Sequence, residues 1–414
     1  MVEFFTIISL TLIYISLYFS TLFLLNYFKN KKRIYEEPLL PKKLPRVSVI
    51  IPAFNEEKTI AATLDSVIAL HYPKNLLEVI VINDGSTDKT RAIANRYAQQ
   101  YNYVKVLNKT NSGKADSLNK GISIIKGEFF VVLDADSYIH PEAIYKSIGF
   151  FSDSNVAAVT PPMCPRNTKK IIEKIQYWEY VFSSVLKLFF QSIKLIYVTH
   201  GVGSIFRTKI IKKIGGFDTK NLTEDLEIAL RIYKYNYKIK SPIFFFNTTE
   251  VPKTFKSLWN QRIRWMMGTI QSLIKYKLDF LKLQPNILCR IVFPFMLINV
   301  IILFLSFFII SYFLLNQIYN TFLLLYYHII VGQSISFYFD FFISGLTALT
   351  TGLLILFFVS IVICFKTFRL DFKKSIIYFA RPLLFYILFY AMFSAFVVIM
   401  SSYKVLKGDI QWFK

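Results

Sequence analysis

Long apolar runs at both ends of the chain constrain its fold more than any other feature. Residues 4–28 are almost wholly apolar, and three further runs lie near 289–313, 339–365 and 377–402. About 20 consecutive apolar residues are enough for a helix to cross a bilayer. We therefore predict membrane spans at both ends and a separately folded domain in the more polar stretch between them.

The distribution of basic residues also favours a membrane protein. The formal net charge is +23, but Lys and Arg are scattered or flank apolar runs, which is typical of positive-inside topology rather than nucleic-acid binding. Residues 29–33 are basic and follow the first apolar run, whereas a cleaved signal peptide carries its charges before that run. Segment 314–338 has no Lys or Arg, whereas 366–374 has four. We expect a multi-pass protein of the cell membrane with a cytoplasmic central region and an outside loop at 314–338.

These patterns divide the chain into six predicted regions. They are an N-terminal transmembrane helix (1–30), a linker (31–45), an α/β domain (46–250), interfacial amphipathic helices (251–288), a membrane region of about three spans (289–403) and a tail (404–414). Within the fourth region, residues 254–283 predict a helix pair in the membrane interface.

The central region alternates strand-like and helix-like segments. The predicted strands are Val47–Pro52, Glu78–Asn83, Val104–Leu107, Phe129–Asp134 and Ala157–Pro161. Asn55 and Thr87 are predicted to cap the helices that follow the first two strands. This order predicts an α/β fold with a mainly parallel sheet, in which ligands bind beyond the carboxyl ends of the strands.

Acidic residues follow two of these strands. Asp134 and Asp136 come after a buried strand, where their carboxylates provide the hard oxygen ligands that Mg²⁺ or Mn²⁺ prefers. Such a metal would neutralise charge on a departing nucleotide diphosphate. Asp84, in Asn-Asp-Gly-Ser, is suited to accept a hydrogen bond from a nucleobase N–H, to shape the turn, or both.

Two further segments carry candidate charged groups. Lys114 follows a glycine and precedes a helix, so it could contact phosphate as a point charge. Thr223-Glu224-Asp225 predicts a helix start with Thr223 as the cap. Acidic residues are favoured in a first helical turn in any case. A reaction in which a hydroxyl attacks, however, requires one general base to deprotonate it, and Asp225 is the candidate because Asp134 and Asp136 would hold the metal.

A tryptophan motif lies on the basic amphipathic stretch before the membrane region. Gln261, Arg264 and Trp265 share one side of a predicted helix. Arg can pair with a diphosphate, and Trp offers a flat apolar face to a sugar ring. An ordinary interfacial Trp-Arg anchor is the alternative for this motif alone. For His200 we expect a structural role or an acceptor contact rather than metal ligation.

As a set, these motifs resemble those of membrane-embedded, processive glycosyltransferases of family 2, the group of cellulose, hyaluronan, chitin-oligosaccharide and poly-N-acetylglucosamine synthases. The resemblance covers roughly residues 46–270. The matching segments are Val49–Glu57, Asn83–Ser86, Gly113–Ala115, Asp134–Asp136, Gly215–Asp218, Thr223–Asp225 and Gln261–Trp265. Family members often have paired aspartates where this chain has Asn83-Asp84.

The resemblance implies a GT-A fold, which is a Rossmann-like sheet with helices on both faces, and a nucleotide site within it. Glu56 and Asp84 would contact the nucleotide, and Lys114 and Asp134 would lie near the diphosphate. Asp136 would bind the metal ion, Mg²⁺ or Mn²⁺, together with Asp134.

The resemblance also implies the reaction. Asp225 would be the catalytic base with Glu224 beside it, and Gln261, Arg264 and Trp265 would hold the diphosphate and line the acceptor site. The donor would be an α-linked UDP-sugar, and inversion would give a β-linked polysaccharide, exported through the chain's own membrane helices. The layout with Gly215–Asp218 is most similar to the poly-N-acetylglucosamine and hyaluronan branch, so we expect N-acetylglucosamine as the donor sugar.

Two other functions are compatible with the sequence. A non-processive enzyme, similar to ceramide glucosyltransferases, would add one sugar to a membrane lipid and make a glycolipid. An inactive scaffold or a transporter is the alternative of another class. The nearly charge-free spans 339–365 and 377–402 disfavour a transporter, and the full acidic set disfavours a scaffold. The sequence does not identify the acceptor, the linkage or any accessory subunit.

Overall fold

The structure is a computed structural model that describes residues 2–35, 37–166, 168–192, 196–332, 345–367 and 372–409. The strands in these residues are β1 Val47–Ala53, β2 Leu77–Asp84, β3 Val104–Lys109, β4 Phe129–Leu133, β5 Ser137–Tyr138, β6 Val156–Val159, β7 Met163–Pro165, β8 Val202–Arg207, β9 Lys238–Lys240 and β10 Asn247–Thr249. The α-helices are α1 Val2–Ile34, α2 Ile60–Ile68, α3 Thr90–Gln100, α4 Lys114–Ile124, α5 Ala143–Ile148, α6 Ile171–Ser192, α7 Thr208–Lys213, α8 Glu224–Lys234, α9 Phe255–Leu281, α10 Phe293–Val331, α11 Gly345–Thr367 and α12 Phe372–Lys407.

A seven-stranded sheet forms the centre of the α/β domain. Its strand order is β3-β2-β1-β4-β8-β6-β9, and β8 alone among these strands runs antiparallel to both of its neighbours. Strands β1, β2 and β4 are buried along their whole length. Continuous Val and Ile runs are typical of strands that are covered on both faces, so the sequence encodes the middle of the sheet directly. The predicted mainly parallel sheet is confirmed.

Two hydrophobic cores cover the two faces of this sheet. Successive strand residues point to opposite faces, so Ile50 packs with α4 and α8 on one side while Val49 packs with α2, α3 and α5 on the other. A three-stranded sheet, in the order β5-β10-β7, lies beyond the end of β4. All ten strands lie between Val47 and Thr249, which is within the predicted domain 46–250.

The predicted helix caps at Asn55 and Thr87 are wrong. Helix α2 begins at Ile60 and α3 at Thr90, several residues later than the capping pattern indicates. Instead, the side-chain oxygen of Asn55 accepts a hydrogen bond from the main-chain N–H of Thr87 at 2.9 Å. Asn55 has a φ of 56°, a conformation that Asn tolerates better than most residues. The two residues therefore tie together the loops after β1 and β2.

The helices of the C-terminal part are longer than expected. Helix α9 is one continuous helix with a capping box at Thr254 and Ser257, not the predicted pair. Helix α10 continues to Val331, so the outside loop predicted at 314–338 is wrong for residues 314–331. The start of the predicted span 339–365, the centre of the basic loop 366–374 and the end of the tail lie outside the described residues.

Among the described helices, Leu288–Ile330 is the one that length and composition make suitable for crossing a membrane. The other predicted spans stay predictions. The terminal helices are nevertheless attached to the α/β domain, since α12 packs against α6 and α9, and α1 packs against α6 and α11. Trp178 of α6, for example, is fully buried and meets Phe365 of α11 edge to face at 5.7 Å between ring centroids.

Candidate active site

Lys114, the first residue of α4, joins two of the predicted acidic motifs. Its ammonium lies 2.6 Å from Oδ1 of Asp134 and 2.8 Å from Oε1 of Glu224. Gly113 before it has a φ of 95°, which glycine adopts without strain and which turns the chain into α4. Burial alone would lower the pKa of Lys114, but the charges of Asp134, Glu224 and Asp225 outweigh burial and raise it. The site therefore contains a fixed positive charge.

Asp134 is held where β4 ends. Its main-chain N–H donates to the carbonyl oxygen of Gly201 at 2.8 Å. A Cβ atom on Gly201 would collide with the Asp134 carboxylate, so only glycine allows this close approach. Gly201 thus packs directly on the carboxylate and restricts its orientation.

Asp136 lies in a concentration of negative charge. Burial, together with the charges of Asp134 and Glu56, raises the pKa of Asp136 to about 7. The hydroxyl of Ser137 donates to Oδ1 of Asp136 at 3.1 Å. A group of carboxylates that repel one another in this way attracts a cation.

The two aspartates fit a metal ion that is shared with a nucleotide. Mg²⁺ is usually held by one or two carboxylates and completed by phosphate oxygens and water. In the part of the chain that the structure describes, no three side chains of His, Cys, Asp or Glu are grouped closely enough to hold a metal. A metal at Asp134 and Asp136 would therefore need further oxygen ligands from a diphosphate or water.

Asp225 lies in the first turn of α8, next to Glu224. Its carbonyl oxygen accepts hydrogen bonds from the N–H and the hydroxyl of Thr199 at 3.1 and 2.9 Å. Burial and the charge of Glu224 raise the pKa of Asp225 to about 6. A carboxyl group with a pKa near the working pH is suited to general-base chemistry.

Thr223 occupies the predicted cap position of α8 without making the expected capping bond. Its hydroxyl donates to the side-chain oxygen of Asn221 at 3.1 Å instead. The position of this helix start is thus as predicted, but a different side-chain interaction secures it.

Asp84 is engaged by the loop that leads into α4. Its carboxylate accepts hydrogen bonds from the main-chain N–H groups of Ser112 and Gly113 at 3.0 and 2.9 Å, and it pairs with Lys109. The side chain of Glu56 accepts a hydrogen bond from the hydroxyl of Thr59 at 2.8 Å. Asp84 therefore has a structural role, because it positions the residues immediately before Lys114.

The tryptophan motif lies on α9 and reaches the same region. Arg264 donates to the carbonyl oxygen of Leu222 at 3.2 Å, just before the Thr223–Asp225 segment. Trp265 packs beside a small apolar cluster, and the guanidinium of Arg262 lies 4.2 Å from its ring centroid. Gln261 accepts a hydrogen bond from Arg262. Arg264 is thus beside the acidic helix start, whereas the contacts of Gln261 and Trp265 are with Arg262 and with the apolar cluster.

Arg262 is a buried member of this motif that the sequence reasoning did not select. It forms an ion pair with Glu179 of α6, and it donates to the hydroxyl of Tyr390 of α12 at 3.3 Å. Glu179 is 83 positions from Arg262, so no local pattern reveals this partner. A buried Arg requires an anionic partner, but the sequence does not show which carboxylate supplies it.

Comparison with known proteins identifies the part of the chain that contains Lys114, Asp134 and Asp136. Residues 48–215 match the model of glycosyl transferase family 2. A probable glycosyltransferase of Bacillus subtilis, YdaM, is 34% identical over 264 residues, which are 61% of this chain and 61% of that one. The poly-β-1,6-N-acetyl-D-glucosamine synthase of Staphylococcus epidermidis is 33% identical over 257 residues, which are 60% of this chain and 61% of the relative.

A solved structure shows the same fold. The mannosyltransferase PcManGT of Pyrobaculum calidifontis, in complex with GDP-Man and Mn²⁺, matches with a TM-score of 0.51 and 24% identity, over 66% of this chain and 75% of that one. The aligned part spans about three fifths of the curated relatives' length. Residues 48–215 therefore match a glycosyl transferase family 2 domain, and the α/β fold that contains them is GT-A-like with a mainly parallel sheet.

Proposed function

We propose that this protein transfers N-acetylglucosamine from a UDP donor to a growing β-linked polysaccharide, with inversion at the anomeric carbon. The observation that carries the proposal is the ion-pair bridge from Asp134 through Lys114 to Glu224. This bridge joins the end of β4, the start of α4 and the start of α8 at the carboxyl end of the sheet. Asp225 lies beside it in α8. This is where α/β sheets bind their ligands.

The relatives support the donor sugar and the product class. The Staphylococcus epidermidis relative is named a poly-β-1,6-N-acetyl-D-glucosamine synthase. We extend this specificity to the present chain as part of the proposal. A lipid acceptor that receives one sugar is the alternative outcome of the experiment below.

In the proposed reaction, Asp225 takes the proton from an acceptor hydroxyl. The acceptor oxygen attacks the anomeric carbon from the face opposite the UDP. A carbon–oxygen bond forms there while the bond between the anomeric carbon and the diphosphate breaks, and the bonding electrons leave with UDP. The positive charges of Lys114 and Arg264 stabilise the negative charge that develops on the leaving group. Attack from the opposite face converts an α-linked donor into a β-linked product.

Asp134 and Asp136 would hold a Mg²⁺ or Mn²⁺ ion with the donor diphosphate. The ion would supply charge neutralisation at the leaving group. Glu56 and Asp84 would lie on the nucleotide side, where Asp84 keeps the loop before Lys114 in place. Gln261 and Trp265 would complete the diphosphate and acceptor contacts.

The apolar helices at the two ends of the chain would anchor the enzyme in the cell membrane, with the catalytic domain in the cytoplasm. Helix α10 supports this proposal, because residues such as Leu315, Phe322 and Ile329 expose large apolar side chains along it. A soluble protein rarely exposes a contiguous apolar surface of this kind. Export of the polymer through these helices belongs to the same proposal.

UDP release by the full chain in lipid nanodiscs tests the function directly. The assay uses Mg²⁺ or Mn²⁺ and a panel of UDP-sugars, and the product is then sized. We expect release with UDP-N-acetylglucosamine and a polymeric product. Asp225→Asn should fold and bind UDP but lose at least about 100-fold in turnover, because the general base is missing.

Asp65→Asn is the matched control for this variant. Asp65 is exposed on α2, where its carboxylate accepts a hydrogen bond from Tyr97 that an Asn side chain can also accept. Its turnover should equal that of the wild type. Retained turnover in Asp225→Asn would contradict the assignment of Asp225 as the base. A single-sugar glycolipid product would contradict the polysaccharide proposal and support the lipid alternative.

A further inference from the structure

A cavity of about 250 Å³ has Lys187 and His200 in its wall. Its walls come from α6, from residues 196–200 and from α12. Glu179, the partner of Arg262, is part of the wall, so the cavity adjoins the tryptophan motif. None of the residues proposed above for nucleotide binding lines it.

Lys187 of α6 brings an unsatisfied charge to this cavity. Its side chain is 7% exposed, and its ammonium has no hydrogen-bond partner in the part of the chain that the structure describes. Burial lowers the pKa of Lys187 to about 7, although the negative charge of Asp225 acts in the opposite direction. A buried polar group without a partner is costly, so its presence calls for a ligand that supplies one.

His200 contributes a second polar atom to the same cavity. Its Nε2 atom is also buried and without a hydrogen-bond partner among the described residues. Burial, together with the charge of Lys187, keeps the pKa of His200 well below its usual value, so the ring is neutral. The adjacent residue, Gly201, contacts Asp134. The two unsatisfied groups are therefore close to the acidic site.

The remaining wall is largely aromatic. The rings of Tyr386 and Tyr390 stack with centroids 4.6 Å apart, and Phe182 stacks on Tyr386 at 5.7 Å. Aromatic faces suit the apolar faces of sugar rings. An aromatic wall with a few converging polar groups is typical of a pocket for a small ligand.

The charges around the cavity favour a neutral partner for Lys187. An anionic group would lie near the carboxylate of Asp225, whose charge acts on Lys187, and like charges in such a site repel strongly. A carbonyl oxygen can accept a hydrogen bond from the ammonium without adding a charge. Among sugar substituents, the acetamido group provides such a carbonyl oxygen.

We propose that this cavity binds the terminal sugar of the acceptor, and that Lys187 and His200 bind its acetamido group. The assignment rests on the proposed function and makes these two residues specificity determinants of the acceptor. Hydrogen bonds from a charged donor are worth more than neutral ones, so the acetyl group should contribute clearly to acceptor use.

The test compares two acceptors with the full-length protein in nanodiscs. One is a β-1,6-linked oligomer of N-acetylglucosamine, and the other is the same oligomer with its acetyl groups removed. UDP-N-acetylglucosamine is the donor in both cases. The readout is the ratio of kcat/KM for the acetylated acceptor to kcat/KM for the deacetylated one.

We expect the wild type to prefer the acetylated acceptor and Lys187→Met to reduce this preference by about tenfold or more, the effect of losing a hydrogen bond to a charged group. Lys187→Gln keeps a donor and should retain an intermediate preference. Lys170→Met is the matched control, because Lys170 is exposed directly before the same helix. Its ratio should equal that of the wild type.

The possible outcomes separate the two proposals. An unchanged ratio in Lys187→Met and Lys187→Gln, or an equal fall in Lys170→Met, would overturn the acceptor assignment while wild-type transfer leaves the proposed function standing. If Lys187→Met does not fold, the ratio in Lys187→Gln decides in the same way. A wild type that transfers to neither acceptor would overturn the proposed function and this assignment with it.

Discussion

At the scale of single residues, the protonation of Asp225 should control the rate. Burial and the neighbouring Glu224 raise the pKa of Asp225 to about 6. A general base works only when it is deprotonated, so the base is active above this pH and becomes inactive as the pH falls through it. With metal and donor saturating, kcat should fall roughly tenfold for each pH unit below about 6.

A pH–rate profile of UDP release from pH 4.5 to 8 measures this effect. UDP binding at each pH, measured by calorimetry, separates the loss of the base from the loss of the nucleotide site. A kcat that stays constant down to pH 5 would be inconsistent with Asp225 as the titrating base. The rate of Asp225→Asn should be low and should not fall in the same way as the pH decreases below about 6.

The sequence indicated candidate charged groups where a motif contained their chemistry, and their roles stay predictions. The structure brings three of them, Lys114, Asp134 and Glu224, together by ion pairs. The close approach of Gly201 to Asp134 and the burial of Lys187 were not predictable. Each depends on a tertiary neighbour, and neither residue type has a local pattern that specifies one.

At the scale of elements, the contact between α8 and α9 positions the base. Gly268 of α9 faces Thr223, and a Cβ atom at this position would collide with the Thr223 side chain. Gly268→Ala should therefore push the start of α8 away from the site. We expect the free energy of unfolding to fall by about 1–3 kcal/mol through overpacking. Turnover should fall about 10- to 100-fold as Asp225 is displaced.

Gly352→Ala is the control for this prediction. Gly352 lies within α11, where a Cβ atom would make only an ordinary contact with Leu17, at 3.7 Å. Ala is favoured over Gly in a helix by about 1 kcal/mol, so this variant should be equally or more stable and fully active. Thermal unfolding and UDP release measure both variants. A stable, active Gly268→Ala would show that the close approach of the two helices is not required.

Five of the ten described strands were predicted, namely β1, β2, β3, β4 and β6, whereas β8 in the same sheet and the short strands β5, β7, β9 and β10 were not. Runs rich in Val and Ile specify β1 and β2, and Phe-Phe-Val-Val-Leu specifies β4, because a strand covered on both faces is mostly apolar. The caps at Asn55 and Thr87 failed because these side chains bind across two loops rather than within one helix. Helix α9 was divided wrongly into a pair, since its mixed polar and apolar surface reflects contacts with several neighbours on different sides.

At the scale of the whole molecule, the terminal helices and the catalytic domain form a connected structure. The ion pair between Arg262 and Glu179 joins α9 to α6, and the hydroxyl of Tyr390 joins α12 to both. Leu222, next to the acidic helix start, shares an apolar cluster with Val397 of α12. Such cross-links are between residues far apart in sequence, so composition could predict the terminal helices but not their attachment.

The membrane proposal makes a prediction that a soluble protein would not share. Leu315, near the middle of α10, is 65% exposed, and replacing an exposed Leu by Arg in water has little effect on stability. In a bilayer the same charge costs about 2.5–3.5 kcal/mol at the centre of a helix. Leu315→Arg should therefore lower the thermal stability of the protein in nanodiscs, while Leu39→Arg, at a loop position that is 90% exposed, should not. Equal stability of the two variants would mean that Leu315 faces water, which would contradict a membrane-spanning role for α10.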